Sequence, residues 1–238
     1  MRIQKSYGII CIRKKKQYEF LFINKRLTYA YISFIKGIYS NYNYNDIKRL
    51  LNKMTVDEKL IIKSLDFRLM WYKCFLIFPE NTDNKSLNLF KKYKRKFENN
   101  CMKDNGILLI NLINVSTNIE LLWEIPKGHK NENELEINAA IREFFEETNI
   151  SKYKYKILFN IKPIIYSFID ENVKYIYTYY IAQLIDQNYI PYIKLNINTV
   201  ISETTNIKFL SINEIKILSN DNQLIILLKK LIKEIKKY

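Results

Sequence analysis

The stretch from Gly128 to Ile150 restricts this chain more than any other. From Leu135 to Thr148 it contains neither Gly nor Pro, so nothing interrupts a helix there, and helical spacing places Glu143, Glu146 and Glu147 on one face. Like charges at that spacing repel by roughly 0.2–0.5 kcal/mol per pair on an exposed helix. Three stacked carboxylates therefore either stand in water as a solvated acidic face or serve a cation. The cation that carboxylate oxygens favour is hard and divalent, Mg²⁺ or Mn²⁺, and such ions work mostly on phosphate-bearing substrates.

Composition narrows the partners. With 238 residues and 48% hydrophobic side chains the chain has material for one sizeable core, or for one domain carrying an insertion. A net charge of +15 suits polyanions such as RNA, DNA or a phosphate-rich small molecule. The abundance of Ile, Asn, Lys and Tyr typical of an AT-rich genome is the competing explanation. Cys11, Cys74 and Cys101 have no paired spacing, and His129 is the single histidine. That pattern argues against a disulfide framework and against zinc, and fits a reducing compartment. No apolar, charge-free run reaches the ~18 residues of a spanning helix, so neither a signal peptide nor a transmembrane segment is expected.

In chain order, Tyr7–Arg13 and Tyr18–Lys25 read as a hairpin around Lys14-Lys15-Lys16-Gln17. The segment Tyr29 to Ile38 is apolar enough for a third strand, with Gly37 as punctuation. Helical spacing then holds from about Tyr39 to about Asn114. Thr55-Val56-Asp57-Glu58 is a capping box with Met54 as a staple, Pro79 ends a helix near Leu65–Phe78, and Lys85–Phe97 and Gly106–Val115 follow. On Lys85–Phe97, Phe90, Tyr93 and Phe97 take core spacing. Its Lys91, Lys92, Lys94, Arg95 and Lys96 serve either as a sequence-blind RNA grip or as a solvated face.

Strand character returns over Glu120–Gly128, where Lys127 is a candidate substrate-phosphate contact or a plain strand-end lysine. Further strands are expected at Tyr155–Ile161, Tyr175–Leu184 and Ile207–Leu210. Asp221–Tyr238 reads as an amphipathic helix whose Leu224, Leu227, Leu228, Leu231 and Ile235 close the sheet. The reading divides the chain at 1–38, 39–116 and 117–238, the middle part being an insertion.

Gly128, Glu134 and Arg142-Glu143-Phe144-Phe145-Glu146-Glu147-Thr148-Asn149-Ile150 resemble the Nudix box, here spanning 128–150. The one departure is Asn149 at a position the family usually gives to Gly; a left-handed helix end is the expected reason. Ser6-Tyr7-Gly8-Ile9-Ile10, Leu65-Asp66-Phe67, Met70-Trp71-Tyr72 and Trp123-Glu124-Ile125-Pro126-Lys127-Gly128 extend the resemblance to viral mRNA-decapping Nudix hydrolases of large cytoplasmic DNA viruses, the asfarvirus type more closely than the poxvirus type. The resemblance covers nearly the whole chain and is weakest between Asp186 and Thr199.

It implies an α/β fold, a Nudix α/β/α sandwich with a mainly α-helical insertion, and cap hydrolysis releasing m7GDP in the host cytoplasm. Capped mRNA is then the partner, and diphosphoinositol polyphosphates or nucleotides are alternative substrates. A non-catalytic RNA-binding protein is a third reading. By the same resemblance Glu143, Glu146, Glu147 and the Gly128 carbonyl hold Mg²⁺ or Mn²⁺, Glu147 or Glu143 activates water, and Glu134 and Arg142 brace the loop. Glu203 matches the place of an additional base or ligand.

Overall fold

A computed structural model describes residues 1–121, 123–170, 173–192, 204–218 and 221–237. The chain forms two compact units, one of residues 1–25 and 122–238 and one of 26–121. In order, strands β1 (Arg2–Lys14) and β2 (Tyr18–Lys25) precede the helices α1 (Tyr29–Ile35), α2 (Tyr44–Leu51), α3 (Val56–Lys63), α4 (Phe67–Phe75), α5 (Asn84–Cys101) and α6 (Ile107–Asn114). There follow β3 (Trp123–Glu124), β4 (Lys127–Gly128), α7 (Glu136–Thr148), β5 (Tyr155–Ile157), β6 (Ile164–Asp170), β7 (Val173–Leu184), β8 (Thr204–Ser211), α8 (Ile212–Leu218) and α9 (Asn222–Ile235).

The strands make one mixed sheet with the path β3-β2-β1-β7-β5, to which β4 adds on β1, β6 on β7 and β8 on β2. Its spine is the parallel pair β1–β7, in register from Arg2↔Val173 to Ile12↔Gln183. The pleat sends alternate residues of β1 and β2 to opposite faces. Ile9, Cys11, Leu21 and Ile23 pack with Ala139, Ala140 and Phe144 of α7. Ile10, Ile12, Phe20 and Phe22 pack with Ile215 of α8 and Ile225, Leu228 and Leu231 of α9. Strands covered on both sides read as continuous apolar runs, which is why the hairpin is legible in sequence. The result is a helix layer on each face of a sheet. All three cysteines are buried and reduced.

β1 pairs with β2 at Ile12–Lys14 but with β4 at Tyr7–Gly8. The strand thus changes partner part-way, and that change delivers Lys127 and Gly128 to the start of the acidic helix. Gly8 permits the crossing: a Cβ there would lie 2.2 Å from the Pro126 carbonyl oxygen.

In the helical unit the expected capping box forms, with Thr55 Oγ1 accepting from Glu58 N–H and Glu58 accepting from Thr55 N–H. Phe90, Tyr93 and Phe97 pack into its core. The strand expected over Tyr29–Ile38 is corrected: Tyr29–Ile35 is helical, opened by Thr28, whose side chain accepts from Tyr31 N–H. Ala30, Tyr31, Phe34 and Ile35 are buried together with α2 and α4 residues. That tertiary contact outweighs the β propensity of Tyr, Ile and Phe. The segment accordingly joins the helical unit, and the divisions fall at 25/26 and 121/122 rather than 38/39 and 116/117. Strand β6 and helix α8 escaped the sequence reading. No helix among the described residues is long and apolar enough to cross a membrane.

Candidate active site

Helix α7 has no side-chain cap at Leu135 and ends at Asn149, whose left-handed backbone (φ 55°, ψ 21°) lets its N–H reach Phe145 O. The anticipated C-terminal conformation is therefore present. Ala139, Ala140 and Phe144 hold the helix on the sheet, which turns the acidic face toward the loop that begins at Gly128.

Arg142 ties that loop to the helix. Its Nε and Nη2 donate to the two carboxylate oxygens of Glu134 at 3.0 Å each, and Nη2 also donates to His129 O at 2.8 Å. Nη1 donates to Glu143 at 2.8 Å and to Glu146 at 3.1 Å. One planar fork thus fixes loop, helix and two acids, which a lysine point charge does not do. Hydrogen bonding to Arg142 and then to Asn131 N–H holds Glu134 below the usual carboxylate range. Glu134 in turn raises the Arg142 guanidinium above its ordinary value. Glu143 lies over bare backbone, since a Cβ on Gly128 would stand 2.0 Å from its carboxyl carbon.

Glu147 points the other way, into the protein, and is 8% exposed. It accepts from Lys127 N–H at 2.9 Å and from the Lys25 ammonium. Burial pushes its carboxyl up to about 7, against the pull of Lys25. Lys25 also lies 4.0 Å from Glu124, and Glu124 accepts from Lys127 Nζ at 2.5 Å. Lys127 Nζ sits 4.9 Å above the Tyr177 ring. Charges therefore alternate along Glu147, Lys25, Glu124 and Lys127. Lys25 and Glu124 were not singled out in the sequence. Nothing local links Lys25 to Glu147, 122 positions away, and only the sheet brings them together.

Glu134, Arg142, Glu143, Glu146 and Gly128 are brought to one place, and Glu147 and Lys127 to its buried side. Among the described residues no three His, Cys, Asp or Glu side chains converge as a ready metal site. Glu143 and Glu146 meet at Arg142, and Glu147 meets Lys25. The donors nevertheless fit a hard divalent cation. They are carboxylate oxygens, those of Glu143 and Glu146 already meet at one positive centre, and bare Gly128 makes room for the Glu143 carboxylate. Arg142 and Lys25 supply the counter-charge in this conformation. Glu203 lies outside the described residues. Lys91, Lys92, Lys94, Arg95 and Lys96 are all on α5 of the helical unit.

The NUDIX domain family model matches residues 101–227, just over half of the chain. The chain is 34% identical over 232 residues to the mRNA-decapping protein g5R of African swine fever virus, covering 94% of this chain and 92% of that one. To g5R of a second isolate it is 37% identical over 190 residues, 77% of this chain and 74% of that one. The crystal structure of a C. elegans Ap4A hydrolase binary complex superimposes with a TM-score of 0.50 at 14% identity, covering 98% of each chain. That likeness concerns the fold alone. With the motif, the sandwich and these relatives in agreement, the chain belongs to the Nudix hydrolase family.

Proposed function

We propose that this enzyme removes the 5′ cap of mRNA by hydrolysing a phosphoric anhydride, with release of m7GDP, in the cytoplasm of an infected host cell. The observation that carries the reading is the extent of the similarity to the g5R proteins: 94% of this chain is aligned, far more than the box alone. The basic helix α5 supports an RNA body as substrate, with Lys91, Lys92, Lys94, Arg95 and Lys96 as phosphate contacts.

Glu143, Glu146 and Glu147, with the Gly128 carbonyl, are the residues to hold Mg²⁺ or Mn²⁺. When bound, the ion supplies positive charge against the pyrophosphate oxygens. Arg142, locked by Glu134, sets the positions of Glu143 and Glu146. Glu147, or alternatively Glu143, takes a proton from the attacking water. Lys25 and Lys127 N–H fix Glu147 in orientation, and Lys127 is the candidate contact to substrate phosphate.

Cap-labelled RNA incubated with Mg²⁺ or Mn²⁺ tests the proposal, with m7GDP as expected product. Glu147→Gln should lose hydrolysis and keep RNA binding; full activity in that variant would overturn the assignment. The charge of +15 also suits a compact polyanion such as a diphosphoinositol polyphosphate. On that second reading, reversing Lys91, Lys92, Lys94 and Arg95 harms small and RNA substrates alike, whereas decapping predicts a far larger loss on capped RNA.

A further inference from the structure

The basic residues of α5 do not form one surface. Lys92, Arg95, Lys96, Asn99 and Asn100 follow one another at helical spacing and, with Asn41 and Tyr42, line a pocket of about 220 Å³. Lys91 and Lys94 lie outside it, and Lys94 is 3.7 Å from Glu98. No carboxylate lines the pocket, so Lys92 and Arg95 line it without an opposing charge, while the third cation, Lys96, is committed to Tyr39 O.

The pocket is built rather than incidental. Buried Asn100 accepts from Tyr42 N–H at 2.7 Å and donates to Lys96 O at 2.8 Å. Lys96 Nζ donates to Tyr39 O at 2.8 Å. These bonds clamp the loop before α2 onto α5 and hold Tyr42 at φ 59°, a left-handed backbone that a tyrosine adopts only when its surroundings impose it. Tyr42 is nonetheless 58% exposed, with Lys103 Nζ 4.4 Å from its ring. A strained loop that presents an aromatic ring to solvent beside unopposed cations has the chemistry of a nucleotide site: cations for a phosphate, a ring for a base.

We propose that this pocket binds one nucleotide of single-stranded RNA, its phosphate on Lys92 and Arg95 and its base stacked on Tyr42. The inference rests on RNA being the substrate and adds which part of α5 holds it. An unpaired strand is required, because a base within a duplex has no free face to stack. A compact polyphosphate would use the cations but has no use for the ring.

The test is fluorescence anisotropy of labelled, uncapped single-stranded RNA with the full chain, without divalent metal, across a salt series. K92E/R95E should weaken binding about 10-fold or more and reduce the salt slope by about 0.7, the value for one phosphate contact on a single strand. K229E/K230E, the same charge change at exposed positions of α9, should cost about threefold or less. Tyr42→Asn, which tolerates the left-handed backbone, should weaken binding about fivefold with the salt slope unchanged, and Tyr42→Phe should bind as the parent does.

Circular dichroism melting checks folding, and K92Q/R95Q replaces the reversal if that variant unfolds. Equal losses in the two double variants, or parental binding by Tyr42→Asn, would overturn the proposal. So would K92E/R95E losing inositol hexakisphosphate while RNA binding stays intact. A chain that binds RNA through this pocket but releases no m7GDP would sink the decapping reading and leave the pocket standing.

Discussion

Gly128→Ala separates the site from the fold. The added methyl would stand 2.0 Å from Glu143 Cδ, whereas ordinary contact begins at 3.4 Å, so the carboxylate must retreat by about 1.4 Å. The obstructing atoms are the far end of a flexible side chain, and the retreat costs little folding energy. Gly128 sits in strand β4 without a left-handed φ. There the substitution gains roughly 0.4–1 kcal/mol from a stiffer unfolded chain. Displacing a reacting group by about 1 Å costs on the order of 100-fold in rate, equivalent to about 2.7 kcal/mol of transition-state stabilisation.

Gly128→Ala should therefore melt within a few degrees of the parent and lose about 100-fold in kcat/KM on cap-labelled RNA. Gly8→Ala is the contrasting variant: its methyl meets the Pro126 carbonyl at 2.2 Å, a backbone atom that cannot swing aside. It should lower the melting temperature clearly. Parental activity in Gly128→Ala would refute the cradle, and unfolding of that variant would refute the claim that Glu143 yields.

Glu58 is 2% exposed and accepts from Thr28 N–H, Thr28 Oγ1 and Thr55 N–H. Glu58→Ala removes an anchor of two helix starts and should cost about 2–4 kcal/mol in urea unfolding; a loss under about 1 kcal/mol would contradict its role. Asn149→Gly should stabilise by roughly 0.5–1 kcal/mol at the left-handed helix end and Asn149→Ala should destabilise, both read by thermal melting.

Glu147 has its folded carboxyl raised to about 7 from an ordinary 4.5. Its stabilising contribution is therefore full below pH 4.5 and is lost as pH rises through 7. Without metal, Glu147→Gln should melt a few degrees higher than the parent at pH 8, with the gap closing at pH 5. The opposite order would show that Lys25 outweighs burial. Arg142→Lys keeps the charge but loses the fork and should lower kcat about 10-fold with little change in melting temperature; unchanged kcat would mean that Glu134 and Glu143 do not need it.

Local chemistry made the box legible. Spacing alone placed three carboxylates on one helical face, Thr55 and Glu58 announced a cap, and doubly covered strands showed as apolar runs. Each of those signals lies within a few residues, where helix and strand periods act. Tyr29–Ile35 is ambiguous in sequence because an unpatterned apolar run carries no period, and packing against α2 and α4 decides for helix. The sequence by itself determined the family motif, the acidic face and the sign of the substrate's charge. Only the tertiary structure decided that Glu147 turns inward to Lys25, that Glu143 rests on bare Gly128, and that α5 splits its cations between a pocket and open solvent. Those outcomes depend on contacts between residues far apart in sequence, such as Lys25 with Glu147 and Tyr42 with Asn100, and no local periodicity encodes them.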